Sequence, residues 1–391
     1  MTVAERSQPD VSDPGLTAAR LGRLRERLAR EPADAVVLTS PESVHYATGY
    51  RSVAGQIFAG HTMAALVTAD QVWLVCPAAD TAAAVDAGVA GDRIVPYGRF
   101  YFAGEGAAAG LSDRHASFQE ALAVVLRPVS GQRLGVEGPA APVAAELAGD
   151  RATDATGWVL GVRAVKLPGE QALLRTAAEL AENGIRAALA GARAGVTERE
   201  LAAVVATMMV AGGGTPRFVV VTAGPRSPLG DAFPTDRPCH PGDLLRFDVG
   251  CVYQGYWSDL ARTAVVGEPT ARQQAHYDAL LAGLHAELEL ARPGVTAGEV
   301  FRAAQRTVEA AGIAPYRRHH TGHAIGLSVY ERPVISPDSE VPLAPGMVFC
   351  LETPYYELGW GGLMVEDTGV VTEAGFDLFT HLDRSLRVVP T

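Results

Sequence analysis

Apolar and polar positions alternate with two different periods through the first 160 residues. Short apolar runs predict strands at DAVVLT, RIVPYG and RLGVEG, and alternation predicts a hairpin in MAALVTADQVWLVCP with its turn near Ala69-Asp70. Amphipathic helical periodicity predicts helices at residues 16–30, 80–90, 115–127 and 140–148. Strands that alternate with helices in this way are typical of an α/β domain.

Two segments suggest where this domain begins and ends. Residues 1–15 are polar, contain proline and lack periodicity, which predicts a disordered tail. The segment GVRAVKLPGE contains Pro168-Gly169, a pair that predicts the start of a new helix. We therefore predict a first domain over 16–162 and a second domain over 163–391.

The second domain contains an internal repeat. GARAGVTERELAAVV at 191–205 resembles ELARPGVTAGEVFRAAQ at 289–305, with Gly-Val-Thr recurring 99 positions later. Each copy predicts a helix that starts with a capping box, formed by Thr197 with Glu200 and by Thr296 with Glu299. A long helical segment precedes each copy, and a strand and a hairpin follow it. We predict a duplicated helix–helix–strand–hairpin domain with an antiparallel sheet, and an α+β fold for the chain.

The hairpin of the first copy, RFDVGCVYQGYWSDLART at 246–263, is apolar except for one aspartate in each arm. A two-residue turn at Tyr253-Gln254 would place Asp248 directly opposite Asp259, with Cβ atoms ~5 Å apart. Two bare carboxylates at that distance repel each other, and burial makes the repulsion worse. One of them is therefore protonated, or an arginine such as Arg262 pairs with them, or cations bind between them.

The second copy repeats the acid pair and adds histidines. Glu352 and Glu366 flank a turn centred on Gly359 in CLETPYYELGWGGLMVEDTGVV. The preceding predicted strand, HHTGHAIG, carries His319, His320 and His323. A single such acid is usually a turn or capping residue, whereas two symmetric pairs favour a site. One imidazole and four carboxylates suit two divalent ions of the Mn, Co, Fe or Zn type, held ~4 Å apart.

The composition narrows the range of partners and compartments. The net charge of −11 over 391 residues argues against nucleic acid or an anionic membrane as the main partner. The four cysteines lie far apart without C-x-x-C spacing, which favours reduced thiols in a cytoplasmic protein. We recognise no signal peptide and no apolar run near the ~20 residues that span a bilayer. A soluble cytoplasmic enzyme is the resulting prediction.

The ordered motifs D-x-G, S-D-x-x-R-T, G-H-x-x-G, E-x-P and E-D resemble those of the pita-bread metallopeptidases: methionine aminopeptidase, aminopeptidase P, prolidase and creatinase. Residues 16–160 resemble the creatinase/prolidase N-terminal domain, and residues 165–385 resemble the catalytic domain. The resemblance implies a homodimer with two metal ions in each chain, manganese first among the candidates. It implies that a hydroxide bridges the metals and that the metal ligands are Asp248, Asp259, His323, Glu352 and Glu366.

The resemblance also implies individual roles. Asp259 and Glu366 would bridge the two metals, Glu352 would shuttle a proton, and His319 would contact the substrate. Proline-specific relatives usually have histidines where this chain has Asp231 and Tyr330, and often an arginine where it has Met364. Tyr330 is either a hydrogen-bond donor to the oxyanion or an ordinary strand aromatic. Asp231 either binds a cationic group of the substrate or serves a turn.

Three functions follow from these patterns. The first is hydrolysis of the peptide bond in Xaa-Pro dipeptides or short Xaa-Pro peptides. The second is metal-dependent C–N hydrolysis or lyase chemistry on a small non-peptide molecule, as in creatinase and ectoine-hydrolase relatives. The third is a non-catalytic binding module. The complete ligand set favours a metal enzyme over the third function, and the substituted histidines keep the second one open.

Overall fold

The computed structural model describes residues 13–103 and 115–391. The chain divides into two compact units, Met1–Arg163 and Ala164–Thr391. Residues 1–12, which make up most of the predicted tail, lie outside the described part. The first helix already begins at Pro14, because Asp13 caps it by accepting a hydrogen bond from the Gly15 backbone N–H.

The first unit is a mixed six-stranded sheet with helices. Its helices are α1 Pro14–Leu28, α2 Pro41–Thr48, α3 Thr81–Asp86, α4 Phe118–Leu126, α5 Ala141–Ala148 and α6 Thr156–Ala164. Its strands are β1 Ala35–Leu38, β2 Ala64–Val67, β3 Val72–Pro77, β4 Ile94–Tyr97, β5 Leu134–Glu137 and β6 Ala152–Asp154. The strand order is β4-β3-β2-β1-β5-β6.

The pairing within this sheet explains its sequence pattern. Strand β1 lies in the middle, antiparallel to β2 and parallel to β5, and all four of its residues are buried. A strand covered on both faces reads as a continuous apolar run, as DAVVLT does. Val67 pairs with Val72 across the β2–β3 turn, so the turn at Ala69-Asp70 is confirmed. Strand β6 and helix α6 were not predicted.

The second unit contains four helices and twelve strands among its described residues. The helices are α7 Pro168–Gly191, α8 Glu198–Ala211, α9 Ala271–Leu290 and α10 Ala297–Ala310. The strands of its first half, with the last strand of the chain, are β7 Thr215–Ala223, β8 Leu244–Tyr253, β9 Tyr256–Trp257, β10 Leu260–Val266 and β18 Arg387–Val389. The remaining strands are β11 Gly322–Ala324, β12 Glu331–Val334, β13 Val348–Glu352, β14 Tyr355–Glu357, β15 Gly361–Leu363, β16 Glu366–Thr372 and β17 Gly375–Leu378.

These strands form two five-stranded sheets and a separate two-stranded one. The first sheet has the order β18-β10-β8-β7, with β9 paired to β8, and the second has the order β12-β11-β13-β16-β17. The pairing is antiparallel apart from β18, which runs parallel to β10. Each half has its own apolar core: α7 and α8 pack on the first sheet, and α9 and α10 pack on the second.

The duplication is visible in the backbone. Helices α8 and α10 begin and end 99 positions apart, and each starts with the predicted capping box. Gly195 and Gly294 precede them with φ angles of 86° and 85°, a conformation that favours glycine. Their backbone N–H groups donate to Cys239 and Leu343 at 2.8 and 2.9 Å. The two halves therefore share one local construction.

The register of the first hairpin differs from the prediction. Asp248 pairs with Ala261, not with Asp259, because the turn lies at Gln254-Gly255. Gln254 and Gly255 have φ angles of 46° and 94°, and a tight hairpin turn of this kind favours glycine at its second central position. Moving a two-residue turn by one position shifts the pairing by two residues, so the two acids become diagonal neighbours.

Among the helices of residues 13–103 and 115–391, none is both long enough and apolar enough to cross a bilayer.

Candidate metal centre

A cavity of about 590 Å³ in the second unit gathers the predicted site residues. Eight of them line it: Asp231, Asp248, Asp259, His319, His323, Tyr330, Glu352 and Glu366. They come from both halves of the duplication: the first half supplies three acids and the second half supplies two. The structure therefore brings together residues that are as much as 135 positions apart (Asp231 to Glu366).

The acids occupy strand positions near the hairpin turns. Asp248 lies in β8 and Asp259 directly precedes β10, while Glu352 ends β13 and Glu366 begins β16. Glu352 and Glu366 pair directly across their hairpin, which confirms that part of the prediction. Gly359 takes a φ of 84° at the centre of this turn. Asp259, Glu352 and Glu366 are 6%, 4% and 1% exposed, so almost no water reaches them.

Only one of the three predicted strand histidines lies on a strand. His323 belongs to β11, whereas His319 and His320 lie in the loop before it. Gly322, the first residue of this strand, lies close to the neighbouring strand: a Cβ at this position would lie 2.3 Å from the Cys350 carbonyl oxygen. The sequence prediction extended this strand too far towards the N-terminus.

The orientation of His323 suits a ligand. Its Nδ1 lies 3.1 Å from the Ala324 carbonyl oxygen, and its Nε2 lies 3.6 Å from Asp259 Oδ2. When Nδ1 donates to the carbonyl, Nε2 presents a lone pair to the acids. His320, one of the three histidines named from the sequence but without a predicted role, has its Nδ1 3.0 Å from Glu352 Oε1.

The buried acids repel each other strongly. Burial raises the pKa of Asp248 to about 7, against the opposing effect of Arg246. Burial and the neighbouring carboxylates also raise the pKa of Asp259 and of Glu366 above their ordinary values. Burial acts in the same direction on Glu352, but His320 and His323 outweigh it and its pKa is lowered. The negative charge of Glu352 is thus compensated by imidazoles. The other three acids lack enough neighbouring positive charge to bring their pKa back to its ordinary value.

An arginine does pair with one aspartate, but it is not the predicted one. Arg246 Nη1 lies 2.9 Å from Asp248 Oδ2, and its side chain is fully buried. Arg262 instead binds Asp367 at 2.8 Å and donates to main-chain carbonyls. The signal for Arg246 was its position two residues before Asp248, since alternate strand residues share a face.

A thiol also lies among the acids. Ligand atoms of Asp259, His323, Cys350 and Glu366 all lie within 4.8 Å of one another. Cys350 shares a face of β13 with Glu352, two residues later, and pairs directly with His323 across the sheet. Burial raises the pKa of its thiol well above the ordinary value, so the uncharged form is favoured. The alternation with Glu352 was the sequence signal that we missed.

The residues that differ from the usual motifs also lie at this cavity. Tyr330 stacks on the His323 ring with centroids 3.8 Å apart, although 56% of the residue is exposed. Asp231 is exposed and contributes to the raised pKa of Asp248. Met364 is buried, and its Sδ accepts a hydrogen bond from the Tyr356 hydroxyl at 3.4 Å.

The donor set fits a divalent cation. Glu366 Oε2 is buried without a hydrogen-bond partner in the described part of the chain, in a cavity with four other acids. An unpaired buried carboxylate oxygen is costly, and cations remove that cost. Carboxylates with one imidazole are typical ligands for Mn, Fe, Co or Zn.

A duplicated domain with this acid and histidine cavity defines a class, the metal-dependent hydrolases built on two related halves. Comparison with known families gives the assignment. Residues 172–373 match metallopeptidase family M24, and residues 20–165 match the creatinase/prolidase N-terminal domain. The chain belongs to metallopeptidase family M24. This family implies divalent metal ions, in agreement with the donor set.

Curated relatives are named as dipeptidases. An Xaa-Pro dipeptidase of Lactobacillus delbrueckii is 33% identical over 244 residues, covering 62% of this chain and 66% of that protein. A probable dipeptidase PepE of Mycobacterium tuberculosis is 39% identical over 198 residues, covering 50% of this chain and 53% of that protein. The matched segments therefore span 66% of the first relative and 53% of the second, which is less than two thirds in both cases.

Solved structures match over nearly the whole chain. Dipeptidase PepE from Mycobacterium ulcerans has a TM-score of 0.81 at 29% identity, covering 98% of this chain and 99% of that one. The prolidase from Pyrococcus horikoshii has a TM-score of 0.78 at 26% identity, covering 94% and 99%. These neighbours confirm the α+β pita-bread fold with its creatinase-like N-terminal domain.

Proposed function

We propose that this chain is a metal-dependent dipeptidase that hydrolyses the peptide bond of Xaa-Pro dipeptides or short Xaa-Pro peptides. The observation that carries the proposal is the group of five predicted ligands in one cavity, with Glu366 Oε2 buried and unpaired. The relatives named as Xaa-Pro dipeptidases and prolidases support the choice of substrate.

Five side chains would hold two divalent ions: Asp248, Asp259, His323, Glu352 and Glu366. The family resemblance makes Asp259 and Glu366 the candidates for the shared positions, and these two acids come from different halves of the duplication. Two divalent ions supply a lowered pKa for water and polarisation of the scissile carbonyl. We propose manganese as the working metal, with Co, Fe or Zn as alternatives.

The remaining residues of the cavity would bind and orient the peptide. Glu352 would take the proton of the attacking water and pass it to the leaving nitrogen, and His320 at 3.0 Å would hold its carboxylate in place. His319 or Tyr330 would donate a hydrogen bond to the oxyanion, and the Tyr330 ring, stacked on His323, lies at the metal centre for this role. Asp231 would bind the free amine of the substrate.

Metal content measured together with turnover tests the proposal. Metal-free protein is loaded with Mn²⁺, freed of excess metal and assayed on Gly-Pro and Ala-Pro. We expect about two ions per chain and hydrolysis of both dipeptides. Two bound ions without turnover of any Xaa-Pro peptide would contradict the substrate, and small cyclic or guanidino amides would then be assayed. Less than about one ion per chain would favour a binding module.

We further propose a cytoplasmic homodimer. All four cysteines are free and buried, as suits a reducing compartment. Sedimentation of the metal-loaded protein tests the oligomeric state, and a single species of monomer mass would contradict the dimer.

A further inference from the structure

Arg318 is a cavity-lining arginine without a partner in the described part of the chain. Its Nε is buried without a hydrogen bond, and no carboxylate of residues 13–103 and 115–391 forms an ion pair with its guanidinium. The guanidinium carbon lies 5.7 Å from the Tyr356 ring centroid, in a cation–π contact. A buried guanidinium nitrogen without an acceptor is costly, which points to an acceptor that is supplied by a ligand.

The other two arginines near the metal centre differ from Arg318. Arg246 donates to the main-chain oxygens of Ser227, Leu229 and Gly230 as well as to Asp248. Arg217 is exposed, so water can satisfy its donors, and its guanidinium lies over the Trp257 ring at 5.8 Å. Arg318 is therefore the arginine lining this cavity whose buried nitrogen lacks an acceptor among the described residues.

The charges of the cavity are unevenly distributed. Asp231, an exposed acid of the first half, lines the cavity together with Asp248. Arg318 lines it in the second half, together with Glu352. An extended molecule that spans both halves would meet an anion beside Asp248 and a cation beside Glu352. A dipeptide has the complementary arrangement, with an amine at one end and a carboxylate at the other.

We propose that Arg318 binds the C-terminal carboxylate of the substrate, so that the site selects dipeptides over longer or C-terminally blocked peptides. A guanidinium matches a carboxylate with two parallel hydrogen bonds. In a dipeptide the carboxylate lies on the residue that contributes the scissile nitrogen, so its binding group must lie close to the metal centre. Arg318 meets that requirement because His319 and His320 follow it directly. This assignment rests on the proposed dipeptidase function.

The test compares an acid substrate with its amide. Mn-loaded wild type, Arg318→Met and Arg318→Lys are assayed on Ala-Pro and on Ala-prolinamide. For Arg318→Met we expect the KM for Ala-Pro to rise about 10- to 100-fold with little change in kcat, as for loss of a charged hydrogen-bond pair. Arg318→Met should hydrolyse Ala-prolinamide as well as wild type does. Arg318→Lys should recover part of the affinity for Ala-Pro. Arg317→Met, the exposed neighbour, is the matched control and should behave as wild type.

Two outcomes separate this assignment from the proposed function. In the first, wild type hydrolyses Ala-Pro and Arg318→Met loses activity equally on Ala-Pro and on Ala-prolinamide. This result would overturn the role of Arg318 and leave the proposed dipeptidase function intact. Absence of hydrolysis by wild type would overturn the dipeptidase, and the binding of L-proline by calorimetry would then decide the role of Arg318. The assignment requires wild type to bind L-proline more tightly than prolinamide. It fails if Arg318→Met binds L-proline as well as wild type, or if wild type does not bind it.

Discussion

The two halves of the second unit share a backbone plan but differ in how their acids are compensated. Helices α8 and α10 have the same length and the same capping box, and each half adds a strand and a hairpin. In the first half Arg246 neutralises part of the charge of Asp248. In the second half histidines act on Glu352, and one oxygen of Glu366 has no hydrogen-bond partner within the described ranges. A duplicated scaffold can therefore diverge in charge while its backbone is kept.

The acids of the two halves should contribute unequally to metal binding. We expect Glu366→Gln to reduce metal content below two ions per chain and to lower kcat at least ~100-fold, because a shared ligand is lost. Asp248→Asn should reduce the metal content and kcat by less, since Arg246 already competes with the metal for that carboxylate. Elemental analysis and kinetics check both variants. Glu373→Gln, an exposed acid after β16, is the control. Equal losses in the two variants would contradict the inequality.

The two buried arginines allow the ion pair of the first half to be isolated. Arg246 and Arg262 each donate to several main-chain oxygens and to one aspartate, but only Arg246 binds an acid of the cavity. Replacement by leucine should cost ~3 kcal/mol of unfolding free energy in either case. Only Arg246→Leu should increase the rise in Tm on Mn²⁺ loading, because it frees Asp248. A similar rise in both variants would show that Arg246 does not compete with metal.

Glu287 marks a further difference between the halves. It is fully buried in α9, and Ala188, 99 positions earlier in α7, occupies the equivalent place. Both of its carboxylate oxygens lack a hydrogen bond among the described residues, and burial raises its pKa well above the ordinary value. A raised pKa in the folded state means that stability falls as the pH rises above the unfolded pKa of ~4.3.

We therefore expect Glu287→Gln to be more stable than wild type at pH 8 and nearly equal to it near pH 4.5. Each unit of pKa shift corresponds to ~1.4 kcal/mol of unfolding free energy, measured by urea denaturation of the metal-free protein. Glu289→Gln on the exposed side of the same helix should show no such pH dependence. A constant difference between wild type and Glu287→Gln at both pH values would mean that Glu287 does not titrate in this range.

The capping boxes provide the smallest test, and here the halves should behave alike. Thr197 and Thr296 each accept a hydrogen bond from the N3 backbone N–H, at 3.2 and 3.3 Å. Thr197→Ala and Thr296→Ala should each cost ~1 kcal/mol, and the double variant ~2 kcal/mol, because the two sites are separate. Urea denaturation measures all three. Clearly unequal costs would show that the copies have diverged in local stability as well as in charge.

Features that depend on neighbouring residues were predicted well from the sequence. The capping boxes, the start of α7 at Pro168 and the turn centred on Gly359 all rest on contacts within a few positions. The Glu352–Glu366 pairing followed from that turn. The predicted turn of the first hairpin was wrong by one position. The glycine of Gln254-Gly255 sets the turn type, whereas the prediction placed the turn at Tyr253-Gln254.

Features that depend on distant segments were missed. Arg246 is held by carbonyl oxygens of residues 227–230, and Arg262 by those of 366 and 382–383. Neither set of contacts leaves a periodic signal in the sequence. Strand β18 likewise joins β10 from the far end of the chain. His320 and Cys350 stood beside predicted ligands, but their contacts with Glu352 and His323 required the folded sheet.

The sequence by itself determined which donors exist and that they come in two copies, because residue identity and spacing are local properties. The tertiary structure decided how the charges are distributed among them: Arg246 rather than Arg262 on Asp248, His320 on Glu352, and no partner for Glu366 Oε2 or Arg318 Nε among the described residues. Electrostatic compensation depends on distances of a few ångströms between segments far apart in the chain, and only the packing of the two halves sets those distances.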